Sequence, residues 1–266
     1  MNWPVELTSI VVSYLTQPLE FNINTQTHQP EQPMAVYSTV CREWQTVIER
    51  STFSMLRLNP SKLDDFERIV AGSRRSYVRT IQLDVILESY SVEARTRVEN
   101  DEDRRRNDEI FTQMMDRTFK ILHTWSEDKV AVHGIALSMC AFSWDDIAAK
   151  PYQETQDRRR ARALGSRDIH DRRFERSYVG FVDENNDEPG EQLETVSRVT
   201  NLKVGCGWGV RYRYISPFAS TVIASKLPHL HDLELWLWDN EKKDAVLREG
   251  SRQGMDISVS RKSAHC

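Results

Sequence analysis

The chain has 266 residues, of which 39% are hydrophobic and 29% charged, and its formal net charge is -4. That length holds one sizeable domain or a small module joined to a larger one, and the slightly low apolar share leaves part of the chain to loops. The charge balance advertises neither nucleic acid nor an anionic membrane as partner, and no run of about 18 apolar residues offers a membrane span.

In chain order, a first helix is expected over 4–16. Leu7, Ile10, Val11, Tyr14 and Leu15 fall on one face, Pro4 suits the first turn and Pro18 lies just past the end. The stretch 17–33 is rich in Gln, Asn, Thr and Pro, lacks a helical period and reads as an exposed loop. A second helix is expected over 34–50, with Val36, Tyr37, Val40, Cys41, Trp44, Val47 and Ile48 along one side.

The pattern then changes to short strands and helices. Phe53, Leu56 and Leu58 have the spacing apolar-x-x-apolar-x-apolar, which recurs at Val78/Ile81/Leu83, Val132/Ile135/Leu137, Val199/Leu202/Val204 and Leu230/Leu233/Leu235. Start-to-start intervals are 25, 54, 67 and 31 residues. A leucine-rich repeat opens with this spacing and has a period of roughly 20–29 residues, so the long intervals read as two units with insertions. Between these strands, helices are expected over 62–71, 105–125, 216–226 and 241–248. The first is read with Ser61 and Asp64 as an acidic capping box, Leu63, Phe66, Ile69 and Val70 as its apolar stripe, and Gly72 as its C-cap, with Arg74 and Arg75 at the negative end of its dipole. In the second, Phe111, Met115, Phe119 and Leu122 share a face; Pro228 stops the third. The strand-then-helix order argues for an α/β layer in which each strand buries its apolar residues against the next unit. The tail over 251–266 is polar and aperiodic.

Residues 157–176 hold eight arginines against four acids, and residues 177–195 hold six acids with no Lys or Arg. A basic block followed by an acidic one reads as a solvated charged loop rather than a nucleic-acid site. Residues 1–19 lack a basic n-region and carry Glu6 inside their apolar stretch, so they are not read as a signal peptide. The four cysteines, Cys41, Cys140, Cys206 and Cys266, are far apart with no CxxC, and are expected to be reduced thiols in the cytosol or nucleus. His229 and His231 read as a strand end, and Cys206, within Gly205-Cys-Gly-Trp-Gly209, as part of a turn. No nucleophile–base–acid set and no metal cluster is legible, so no metal, cofactor or catalytic role is expected. Trp236 and Trp238 alternate with Leu235 and Leu237; a strand there sends the two tryptophans to one face, a candidate substrate patch.

The N-terminal residues resemble an F-box. That family opens Leu-Pro-x-Glu-Leu and carries Val-Cys-Arg-x-Trp in a later helix. The matching residues are Trp3-Pro4-Val5-Glu6-Leu7, then Ile10 and Leu15, then Val40-Cys41-Arg42-Glu43-Trp44. Trp3 replaces the usual Leu, and the 17–33 loop is longer than the family's ordinary connection. The resemblance implies a module at 1–50, with the loop insertion at 17–33, followed by an irregular leucine-rich-repeat-like substrate-binding domain at 51–250. It implies that Trp3, Pro4, Leu7, Ile10, Leu15, Val40, Cys41 and Trp44 bind a Skp-type linker protein and, through it, a cullin scaffold. The adaptor role so implied is to recruit a protein substrate to an SCF-type ubiquitin ligase by proximity, with the chemistry done elsewhere. Three competing readings remain: an F-box-like interaction module with no ligase role, an enzyme of unrecognised type, and a nucleic-acid binder acting through the arginine run.

Overall fold

The structure, a computed structural model, describes residues 39, 41–91, 94, 97–125, 133–147, 178–182, 192–205 and 213–236. The expected first helix, the 17–33 loop, the arginine-rich stretch, the 241–248 helix and the polar tail lie outside the described residues.

Helix α1 spans Arg42–Ser54, and Cys41 precedes it in extended conformation. The helix therefore starts later than the apolar period suggests and runs on to take in Phe53, which the sequence places in the strand. Arg74 explains that end: its guanidinium lies 5.2 Å from the Phe53 ring centroid, and its Nη2 donates to Glu49 Oε1 at 2.7 Å. That hydrogen bond holds the Glu49 carboxyl below its ordinary range. Strand β1, Met55–Leu58, follows at once. A 3-10 turn over Pro60–Lys62 leads into α2, Leu63–Ile69. The capping box expected at Ser61 and Asp64 does not form, because the Ser61 hydroxyl donates to Asn59 Oδ1 at 2.8 Å and Lys62 occupies the cap position. The apolar stripe does form: Leu63, Phe66 and Val70 are buried. Arg74 Nη1 donates to the Ile69 carbonyl at 3.1 Å, the dipole-end contact expected of this residue. Val70, not Gly72, caps the helix, and Gly72 takes φ +57 to open the 3-10 turn Gly72–Ser76.

The remaining elements are β2 (Thr80–Ile86), α3 (Asp101–His123), β3 (Ile135–Phe142), α4 (Trp144–Ile147), β4 (Tyr178–Val179), β5 (Val199–Val204), β6 (Tyr214–Ile215), α5 (Pro217–Ser225) and β7 (Asp232–Leu235). Asn100 caps α3 by accepting from Asp103 N at 2.7 Å, which starts the helix four residues before its apolar period. Its first-turn acids and last-turn Lys120 and His123 complement the macrodipole. Ser216 caps α5 by accepting from Ala219 N, with Pro217 in the first turn.

Strands β1, β2, β3, β5 and β7 form one sheet in that order, all parallel. The chain is thus of the α/β class. Each of the five repeats of the apolar spacing marks one of these strands. Parallel pairing puts like positions side by side. Leu56, Ile81, Leu137, Leu202 and Leu233 share one register line, and Leu83 pairs Leu58 and Met139. These side chains point to one face, where Leu63 and Phe66 of α2, Phe111, Met115, Phe119 and Leu122 of α3, and Ala219 and Ile223 of α5 complete a single core. Burial of that apolar surface is the main stabilising term, at roughly 25 cal/mol per Å2. The edge strand β7 differs: Leu233 and Leu235 stay 48% and 37% exposed, so its leucine face is not core. Short strands β4 and β6 make a separate parallel pair, tied to the end of β3 by Arg213 N donating to the Ala141 carbonyl at 2.7 Å.

One expectation about the cysteines fails. Cys140, buried within β3, is disulfide-bonded, whereas Cys41 is a free, exposed thiol. No helix among the described residues is long and apolar enough to cross a membrane.

Candidate functional site

The alternation that buries one face of the main sheet sends polar residues to the other. Along one register line lie Thr80, Ala136, Asn201 and Asp232; along the next lie Arg57, Gln82, Ser138, Lys203 and Glu234. Small side chains at Ala136 and Ser138 leave a shallow trough of about 450 Å3 over the middle strand, flanked by Thr80, Asn201, Lys203 and Glu234. Charged neighbours across the strands are matched. Arg57 pairs with the buried carboxylate of Asp84, which also accepts from Gln82 Nε2 at 3.1 Å. Asn201 Nδ2 donates to Asp232 at 2.5 Å, and Lys203 Nζ to Glu234 Oε1 at 2.9 Å. The Lys203 contact, with a second hydrogen bond from Trp236 Nε1, holds the Glu234 carboxyl below its ordinary range.

Aromatic residues stand where the strands end. Trp236 is 41% exposed, and its ring lies 5.2 Å from Lys203 Nζ. Gly205 makes room for it: its φ is +89, and a Cβ there would fall 2.9 Å from the Trp236 Cβ. Trp144 is 58% exposed and packs edge-on against the buried Phe142, with centroids 5.5 Å apart. Sequence reasoning passed over Trp144, although a signal was there. Ser143 and Asp146 have capping-box spacing, and Asp146 Oδ2 accepts from Ser143 N at 2.8 Å as in such a box, while Ser143 Oγ accepts from Asp145 N at 3.3 Å.

Of the residues that the F-box resemblance singles out, Cys41 and Trp44 are described. Cys41 is exposed ahead of α1, and Trp44 in its first turn is partly buried. Trp3, Pro4, Leu7, Ile10, Leu15, Val40 and Trp238 lie outside the described residues. His229 and His231 are exposed on the approach to β7.

Beyond the ends of the strands lies a buried charged cluster that no sequence pattern pointed to. Arg213, with its side chain 1% exposed, donates from Nε and Nη2 to the two carboxylate oxygens of Asp146 at 2.9 and 3.1 Å, and from Nη1 to Glu99 Oε1 at 2.5 Å. Asn107 Nδ2 also donates to Glu99, and the Tyr90 hydroxyl to Asp146. Desolvation pulls the Arg213 pKa down, but the carboxylates of Asp146 and Glu99 outweigh it and leave it raised, so the guanidinium stays charged.

Nearby, Asp108 accepts from Gly180 N at 2.7 Å. Burial, reinforced by the Glu99 charge, pushes its carboxyl up to about 6, against the pull of the Gly180 hydrogen bond and of Arg104. The folded state therefore holds this proton more tightly than the unfolded chain does. This group's contribution to stability is fully present below the unfolded pKa of about 3.9 and is lost as pH rises through about 6, a change of about 1–2 kcal/mol after discounting for partial exposure. Asp108→Asn keeps the acceptor for Gly180 and removes the charge. It is expected to raise the urea midpoint at pH 7.5 and leave it nearly unchanged at pH 4; an equal effect at both values would show that the carboxyl is not held protonated.

No family model, no curated protein and no solved structure matches the chain.

Proposed function

We propose that the chain is a substrate-recognition adaptor of an SCF-type ubiquitin ligase, with an F-box at its N-terminal end and a leucine-rich-repeat-like layer behind it. The observation that carries the reading is a join. The helix opened by Cys41-Arg42-Glu43-Trp44 passes at Ser54 straight into the first of five parallel strands laid down in chain order. Helices on one face and, on the other, polar side chains such as Gln82, Lys203 and Glu234 that stay partly or fully exposed among the described residues are a layout that suits a repeat-type binding layer, where that face meets a partner. Such an adaptor needs no catalytic groups of its own. It raises the effective concentration of substrate beside a ubiquitin-loaded enzyme, and a short stiff connection between its two halves makes that proximity oriented. The polar sheet face, bounded by Trp144 and Trp236, is the proposed substrate surface, since tryptophan is enriched among residues that dominate interfaces.

Co-expression with a Skp-type linker protein tests the reading. The parent chain is expected to co-purify with the linker, and a Leu7→Ala/Trp44→Ala double variant to lose the complex, because truncating one central apolar anchor typically costs about 2 kcal/mol or more, some thirtyfold in affinity. A folded parent that ignores the linker would sink the ligase role and leave an interaction protein whose N-terminal residues serve its own packing.

A further inference from the structure

The end of the main sheet at which its strands begin collects imidazole and cationic side chains. His123 closes α3, His133 lies two residues ahead of β3, and His229 and His231 lead into β7. These are all the histidines among the described residues, and all four are exposed. Arg75 and Arg79 precede β2, Arg198 precedes β5, and Lys226 caps α5. The acids described at this edge are Glu194, 4.0 Å from His123, and Asp232, which accepts from Asn201.

Backbone hydrogen bonds place these groups in a row. Ala136 N donates to the Arg79 carbonyl, Ile135 N to the Arg198 carbonyl and His231 N to the Thr200 carbonyl, each at 2.8 Å. The approaches to β2, β3, β5 and β7 are thus successive neighbours along one edge. Adjacent strands lie about 4.8 Å apart, so the row from Arg79 to His231 spans about 14 Å, the reach of about four residues of extended peptide. Its outward groups are not consumed internally. Among the described residues the side chains of His133, His229 and His231 make no hydrogen bond or ion pair, and Arg79 uses one N–H on the Ser76 carbonyl at 3.2 Å. Arg75 and Arg198 turn inward onto the Trp125 ring, with guanidinium carbons 5.7 and 5.6 Å from its centroid.

We propose that this edge docks an acidic peptide segment of a partner protein, one whose carboxylates or phosphates the row can meet. A guanidinium offers a planar fork that fits either oxyanion and each imidazole adds an N–H donor, and exposed Arg79, His133, His229 and His231 carry these groups along the edge. The inference rests on a different surface from the adaptor reading and stands or falls separately.

The test is fluorescence anisotropy of the full chain with two labelled peptides, hexaglutamate and a neutral peptide bearing two phosphoserines. Either or both are expected to bind, with affinity falling several-fold as salt rises from about 50 to 200 mM; the peptide bound more tightly identifies carboxylate or phosphate as the preferred group. The Arg79→Glu/His231→Glu variant is expected to weaken binding about tenfold, whereas Arg105→Glu, a charge reversal on the far part of α3, leaves it unchanged. Circular dichroism of each variant separates loss of fold from loss of binding, and His133→Glu/His229→Glu repeats the test if the first pair unfolds. Binding of neither peptide would overturn the proposal. So would binding that persists in both edge variants, which would assign it to another basic segment such as the arginine run at 157–176, or a single-stranded oligonucleotide that displaces both peptides.

Discussion

Arg213→Ala is expected to lower the unfolding free energy by about 3–5 kcal/mol, a large share of the 5–15 kcal/mol that holds a domain together. The size follows from what is left behind. Arg213 joins the stretch after β2 through Glu99, and α4 through Asp146, to the approach to β6. Without the guanidinium, two carboxylates with fully buried side chains lose the charged donor they share; Asn107 still donates to Glu99, and Tyr90 and Ser143 N to Asp146, but these donors are neutral. Removing one partner of a buried pair strands the other charge, and that penalty exceeds whatever the intact pair contributes. Arg213→Lys is expected to recover part of the loss, because a point ammonium cannot reproduce the two-oxygen grip on Asp146 while reaching Glu99. Glu99→Gln is expected to cost about 1 kcal/mol or less, since the amide oxygen still accepts from Asn107 and Arg213. Because the Glu99 charge helps to raise the Asp108 pKa, the same variant should also move the Asp108 titration to lower pH. Urea unfolding at pH 7.5 reads the first three values. A loss under 1 kcal/mol for Arg213→Ala would mean that the two acids are held by something other than this side chain.

The contrast with the sequence is instructive because this cluster is made of residues 90 to 213, no two of its charges lying within a helical or strand period of each other. Periodicity reports on one element at a time. It found the five strands because each carries two apolar residues, two positions apart, toward the same face, and parallel pairing then aligns those residues across the sheet. It found the buried side of α3 for the same reason. It could not find Arg213, Glu99 and Asp146, whose meeting depends on where the stretch after β2, the one-turn helix α4 and the approach to the two-residue strand β6 come together. Capping was legible only in part. Ser61–Asp64 and Ser143–Asp146 have the same spacing, yet only in the second does the aspartate accept from the serine N–H, because Ser61 turns to Asn59 and a 3-10 turn occupies the place where the first helix would start. The cysteines misled because wide spacing in sequence says nothing of separation in space, and Cys140 is disulfide-bonded. Alternation sends Trp236 to one face of its strand and leaves open whether the leucine side is core; the leucines stay exposed because an edge strand has no neighbour beyond it, and among the described residues no helix lies over β7.

Trp125→Ala is the second large loss expected, about 4–6 kcal/mol in urea unfolding. The indole follows the end of α3, is 1% exposed and sits 5.3 Å, centroid to centroid, from Phe66 of α2. Truncating a buried Trp typically costs about 3–5 kcal/mol through lost transfer and an unfilled cavity. Here the ring has a further duty. The Arg75 and Arg198 guanidiniums both lie within 6 Å of its centroid, as a partly desolvated cation–π pair, and each such contact adds about 0.5–2 kcal/mol. Trp125 therefore does more than fill space: it lets the strand-start end of the core close although two cations are packed there. Trp125→Phe separates the two contributions, since it restores much of the volume with a weaker ring quadrupole, and should fall about midway between parent and alanine variant. A double-mutant cycle with Arg75→Met isolates one cation–π contact; a coupling of about 0.5 kcal/mol or more is expected. Zero coupling, with Trp125→Phe indistinguishable from the parent, would reduce the residue to simple filling of the core and remove the charge from the explanation of why an indole stands there.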